Sequence, residues 1–201
     1  MDTSNLPPDN NEQSNTHLFD KGAFVSAAIA AAKKYVGQTE ILGNRGFVDP
    51  SFEQKMKDVG FVSGYAWCCL FMELVYKEGA KAIESEALFE LFDKLFSPST
   101  VKTFMNFTHS TEALEYFEFS TKPEVGSLIL FRNYTLDGRP ADTGHIGIVV
   151  EKLPENRLLT IEGNTNNNGS SEGIDVEYKK RYIDLAVHNG RLNLIGFINV
   201  K

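Results

Sequence analysis

The sequence predicts an α+β domain in which N-terminal helices pack on a C-terminal antiparallel β-sheet, with a helical insert between them. Three observations lead there. Apolar residues recur at helical spacing through the first half of the chain. After Lys122-Pro123 the period changes to short β-rich runs. The segments between those runs are too short for the crossovers that a parallel sheet requires. At 201 residues, the expectation is a tail over 1–20 followed by one domain over 21–201.

Residues 1–20 carry Pro7-Pro8, several asparagines and scattered acids, with little to bury, and read as a flexible tail. Over 22–35, Phe24, Ala27, Ala28, Ala31 and Tyr35 share a helical face and Gly37 is a stop signal. The cluster Gly43, Asn44, Arg45, Gly46 and Asp49-Pro50 marks 38–49 as a loop. A short helix follows over 51–58. The apolar run 67–76 is the next helix, with Lys77 and Gly79 as its C-terminal signals. Leu88, Leu91, Phe92 and Leu95 place a helix over 84–96, and further helical pieces follow over 101–107 and 111–116. This gives an insert of about 83–119. Five strands are expected, over 127–132, 145–152, 157–161, 174–179 and 192–200, separated by turn residues that include Asp137-Gly138 and 166–169.

The net charge of −7 and the lack of a lysine and arginine cluster argue against nucleic acid as a partner. The longest apolar helical candidate, 23–32, is alanine-rich and far short of a membrane span, so no membrane insertion is expected. Residues 1–15 are acidic and polar rather than basic and then apolar, so they do not read as a secretory signal. Four widely spaced histidines give no paired metal ligands, and there is no phosphate-binding glycine loop; neither metal nor cofactor is expected.

Chemistry points to Cys68. It stands where Val62-Ser63-Gly64-Tyr65-Ala66 gives way to a helix, and a helix N-terminus stabilises a thiolate, the nucleophilic form of cysteine. Neighbouring thiols do not form an ordinary disulfide, and Cys69 points about 100° away around the helix, where it is expected to pack. A nucleophile needs a base and a group to orient that base. His145 lies between Gly144 and Gly147, which leave its ring uncrowded; His17, His109 and His188 have no such surroundings. Glu162 or Asn164, in Glu162-Gly163-Asn164, is placed to accept from the imidazole.

Together these segments resemble the CHAP and NlpC-type cysteine peptidases and amidases, a papain-like superfamily whose members mostly cut peptidoglycan peptides. Trp67-Cys68-Cys69-Leu70-Phe71 is similar to its nucleophile motif, in which the cysteine directly after tryptophan attacks. Pro123-Glu124-Val125-Gly126-Ser127 resembles its proline-x-x-glycine-aspartate strand, with Ser127 at the aspartate position. Gly144-His145-Ile146-Gly147 resembles its histidine strand, and Glu162-Gly163-Asn164 the segment supplying the third polar residue. Gly37-Gln38-Thr39-Glu40, followed by Asn44, is similar to the opening segment of the amidase-like branch. The resemblance spans about 24–200; Cys69 and the long insert depart from it.

What the resemblance implies is a papain-like fold and cleavage through an acyl-enzyme of an amide bond, either within a peptidoglycan stem peptide (a peptidase) or where that peptide joins the sugar (an N-acetylmuramoyl-L-alanine amidase). Cys68, His145, Glu162 and Asn164 would be catalytic, and Tyr65, Trp67 and Gly144 would serve the oxyanion or the substrate. Such an enzyme would be made in the cytoplasm and act on the cell wall, as a secreted, periplasmic or phage-released protein. An immunity or delivery protein would be its partner if it is an effector. The alternatives are a cysteine protease or acyltransferase acting on a protein, and a catalytically silent wall-binding module.

Overall fold

Helical periodicity and strong capping residues organise the first half of the chain. A computed structural model describes residues 19–165 and 173–201. The tail expected over 1–20, apart from Phe19 and Asp20, lies outside the described residues, as do His17 and the 166–169 turn. The described residues form six helices, α1 (Lys21–Lys34), α2 (Pro50–Asp58), α3 (Cys68–Ala82), α4 (Glu86–Leu95), α5 (Thr100–His109) and α6 (Ala113–Tyr116). Six strands accompany them: β1 (Phe117–Ser120), β2 (Leu128–Tyr134), β3 (Pro140–Leu153), β4 (Arg157–Thr165), β5 (Asp175–Tyr182) and β6 (Leu192–Val200). The strands make one antiparallel sheet in the order β1-β6-β2-β3-β4-β5. The α+β class is as expected.

α3 is the central element. Twelve of its 15 residues are buried, so it is enclosed on all sides. It runs to Ala82, past the end expected near Tyr76, and Gly79 lies inside the helix rather than capping it. α1 passes so close that a Cβ at Gly79 would stand 3.1 Å from both Ala28 Cβ and Phe24 Cε2. The glycine admits a neighbouring helix. Tyr76, also buried, donates its hydroxyl to the carbonyl of Gly126 at 2.7 Å, tying α3 to the turn before β2. In that turn Ser127 Oγ accepts the Glu124 N–H at 3.1 Å and donates to Asn199 Oδ1 at 2.6 Å, so a hydroxyl closes it.

Three elements differ from expectation. The insert is not helical throughout: Phe117 to Ser120 form β1, an edge strand paired with Phe197 to Val200. Four residues are too few to show a period, and the partner lies at the far end of the chain. The β2–β3 hairpin closes tightly around Asp137-Gly138, with Gly138 at φ 82°, so β3 starts at Pro140 rather than at His145. Residues 139–144 carry no apolar alternation, yet the hairpin pairs Pro140 with Tyr134 and Gly144 with Arg132. The 38–49 loop is also pinned at its start, where Gly37 N–H bonds Val176 O and Glu40 N–H bonds Ile174 O along the outer edge of β5.

Candidate active site

Asp20, Asp49, Ser85 and Ser99 cap the N-termini of α1, α2, α4 and α5 with their side chains. α3 has no such cap. Trp67 occupies its N-cap position, so the first N–H groups of α3 keep their positive end for whatever stands there, and the first residue is Cys68. Trp67 is fully buried, and its indole N–H donates to Glu40 at 2.5 Å. Glu40 also accepts the Asn44 N–H at 3.1 Å, and the Asn44 carbonyl accepts the Gly64 N–H at 2.7 Å. Loop 38–48 thereby fixes the segment that leads into the nucleophile.

The sheet opens where this helix end arrives. Registered pairing of β3 with β4 runs from Leu153–Arg157 only as far as Ile148–Ile161. Beyond it β3 pairs with β2 and β4 pairs with β5. His145 and Glu162 stand in the parted region, joined by a 2.8 Å bond between Nε2 and Oε2. Gly147 makes room for this contact, since a Cβ there would stand 2.5 Å from Glu162 Cγ. Gly163 does the same for the helix: its Cβ would meet Trp67 Cζ3 at 2.6 Å and Phe71 Cδ1 at 2.7 Å. The register of β4 against β5 shifts between Glu162 and Thr165, and Asn164 within that shift has φ 55°, a left-handed conformation that asparagine tolerates. Each residue of Glu162-Gly163-Asn164 thus has its own task.

Glu162 has no exposed surface and makes four hydrogen bonds. Oε1 accepts from Thr160 Oγ1 at 2.6 Å and from Arg181 Nε at 2.8 Å; Oε2 accepts from Arg181 Nη2 and pairs with His145. The guanidinium lies over the Phe131 ring, 4.9 Å from its centre. Burial pushes the Glu162 pKa up, but the bonds from Arg181 and His145 outweigh it and hold the carboxyl well below the ordinary range. Arg181 is held charged in return.

Nε2 is engaged by Glu162, and Cys68 is the other group that bears on the imidazole's charge. Burial lowers the His145 pKa, yet Cys68 and Glu162 on its two sides raise it to about 9. Cys68 moves the other way. Its polar neighbours, Cys69 first and then His145 and Thr100, hold it well below an ordinary thiol despite burial. Both shifts favour a thiolate beside an imidazolium.

Of the residues singled out by sequence, Cys68, His145 and Glu162 come together. Asn164 makes no hydrogen bond to the imidazole, whose Nε2 is taken by Glu162. Trp67, expected to serve the oxyanion or the substrate, is a fully buried anchor instead, because its indole packs under Gly163 and against Phe47. At Gly144 the constraint is close approach: a Cβ would collide with the Phe131 carbonyl and stand 3.3 Å from Thr100 Cγ2. Tyr65 lies half exposed on the loop before the nucleophile. Cys69 packs as expected, and its thiol donates to Thr100 Oγ1 at 3.5 Å.

Arg181, Thr160, Thr100 and Glu40 escaped the sequence reading. Arg181 ends a Lys179-Lys180-Arg181 run that reads as a solvated strand face, and only the pairing of β5 with β4 turns it toward Glu162. Glu40 was legible only as part of a motif. No protein-family model, curated protein or solved structure matches the chain.

Proposed function

We propose that the chain is a cysteine-dependent amide hydrolase of the papain-like CHAP and NlpC-type kind, acting on peptidoglycan peptides. One observation carries the reading: His145, held at Nε2 by Glu162, faces Cys68 at the uncapped start of α3. The chain order of cysteine, histidine and acid, and a nucleophile helix packed on an antiparallel sheet, support the family and the papain-like fold. The wall substrate follows from the motif resemblance.

In this mechanism the Cys68 thiolate attacks the carbonyl carbon, and the oxyanion takes the backbone N–H of Cys68 at the open helix end. The carbon–nitrogen bond breaks as His145 gives its proton to the leaving nitrogen. Neutral His145 then takes a proton from water, whose oxygen attacks the thioester. The carbon–sulfur bond breaks, restoring the thiolate and the imidazolium. Glu162 stays ionised throughout and fixes the ring.

Cys68→Ala is expected to stop release of soluble fragments from purified sacculi while leaving the unfolding midpoint near that of the wild type. Mass analysis of the fragments identifies the amide bond. Retained release in the variant would overturn the mechanism. A wild type that leaves sacculi intact, yet cleaves or acylates a protein, would move the same chemistry to a protein substrate.

A further inference from the structure

Trp67 is wedged between the two halves of the site. On one side its ring meets β4 at Gly163, the residue after Glu162, where a Cβ would stand 2.6 Å from Trp67 Cζ3. On the other, its indole N–H donates to Glu40 Oε2 at 2.5 Å and the Phe47 ring stands edge-on to it, 5.0 Å between centres. Cys68 is the next residue along the chain. The depth at which the indole sits therefore sets how close the start of α3 comes to the strand that carries the acid.

Glu40 is tied to the acid side as well. Its N–H bonds Ile174 O at 2.7 Å, while Gly37 N–H bonds Val176 O and Val176 N–H bonds Gln38 O, both at 2.9 Å, so residues 37–40 lie along the outer edge of β5. β5 in turn supplies Arg181 to Glu162. The backbone of Glu40 is thus fixed to one half of the site and its side chain to the other.

A glutamate suits this place because of the donors around it. Oε2 meets the indole N–H and Oε1 meets the Asn44 N–H at 3.1 Å, and both of those groups can only donate. Glutamine would turn an NH2 toward one of them. The Glu40 side chain is buried, and among the described residues no cation pairs with it. Burying an acid on neutral donors alone is costly, and what it secures is one ring in one place.

We propose that Glu40 is a positioning residue for the nucleophile: by clamping the Trp67 indole against Gly163, it holds Cys68 in register with the His145–Glu162 pair. The inference deepens the reading of Cys68 as the nucleophile and rests on it.

The test uses the full chain and two readings. Trp67 is the only tryptophan, so a single indole N–H cross-peak in an NMR spectrum reports the clamp. Alkylation of Cys68 by iodoacetamide across pH, with the modified cysteine assigned by peptide mass, reports the register. Wild-type Cys68 is expected to titrate well below the ~8.5 of a free thiol. Glu40→Gln should move the cross-peak upfield, raise the Cys68 midpoint by about 1 unit and cut its rate roughly tenfold at pH values below both midpoints. Trp67→Phe, which keeps a ring but removes the donor, should raise the midpoint similarly, and the double variant should raise it no further, since the two residues act as one unit. An unmoved cross-peak in Glu40→Gln overturns the clamp. A moved cross-peak with an unmoved midpoint makes the contact purely structural, and additive midpoint shifts show that Glu40 does not act through Trp67; either result overturns the positioning role and leaves the nucleophile standing. A wild-type midpoint near that of a free thiol overturns the catalytic reading itself and the role of Glu40 with it. If Glu40→Gln does not fold, Trp67→Phe carries the test, and an unmoved midpoint there overturns the proposal.

Discussion

Two buried glutamates show what decides the charge of a carboxyl group in this protein. Glu162 has no exposed surface and Glu73, on α3, is only slightly exposed, yet they titrate in opposite directions. Glu162 receives a bidentate guanidinium, an imidazole and a hydroxyl, and is ionised. Glu73 has one ammonium, Lys77 at 3.3 Å, and shares it with Asp93 on α4. Burial wins there, with Asp93 adding to it against Lys77, and the Glu73 pKa rises to about 7. The lesson is that the number and geometry of donors, more than depth, set the state of a buried acid.

Breaking the stronger cluster should have the largest effect. Glu162→Gln removes the charge that holds His145 and leaves the half-buried Arg181 without its counter-charge, so turnover should fall by roughly 10²–10⁴-fold. Stability should drop by about 3–5 kcal/mol in denaturant unfolding. Arg181→Met makes the complementary break: it strands the carboxylate, with a similar stability loss measured the same way. A near-neutral result for both would mean that Glu162 is no better supported than Glu73.

Gly147→Ala disturbs the same cluster without changing a charge. The added methyl would stand 2.5 Å from Glu162 Cγ, and the shift it forces should cost about 1–3 kcal/mol. Activity should fall with stability, since the displaced carboxylate is the one that orients His145. Unchanged steady-state kinetics in Gly147→Ala would show that the contact relaxes freely.

The weaker cluster should reveal itself through pH. A carboxyl whose folded pKa is raised binds more protons in the folded state between the two values, so its contribution to stability declines as pH rises through that window. For Glu73 the window runs from 4.5 to about 7. Glu73→Gln should therefore match the wild type near pH 4 and exceed it above pH 7 by up to about 3 kcal/mol, the ceiling set by the size of the shift. Glu162 has the opposite sign. Its lowered pKa gives stability that is present above the unfolded value and lost as pH falls through the folded one, so Glu162→Gln should approach the wild type only in strong acid. Unfolding free energies across pH 3–8 for the two variants decide both signs, and parallel curves would remove the comparison.

Much of the site was legible because it depends on local pattern. Cys68 was marked by a change from glycine and serine to an apolar run, and His145 by its flanking glycines. The choice between Glu162 and Asn164 was not legible. Both are polar residues at a strand end, and only the register shift in β4 turns Glu162 to the imidazole and leaves Asn164 to carry the left-handed backbone. Gly79 was misread for a related reason. A glycine near a helix end usually signals its stop, and nothing local records that α1 needs the space.

The sequence alone marked the α+β class, the elements other than β1, the start of the nucleophile helix and the two residues of its chemistry. These rest on spacing and on local signals between near neighbours, which a linear chain displays. Only the tertiary contacts show that Arg181 neutralises Glu162, that Glu40 anchors Trp67 and that Thr100 of the insert bonds the Cys69 thiol. Those partners lie many residues apart and meet only through strand register and helix packing. A side chain's ionisation therefore becomes readable only once the fold has chosen its neighbours.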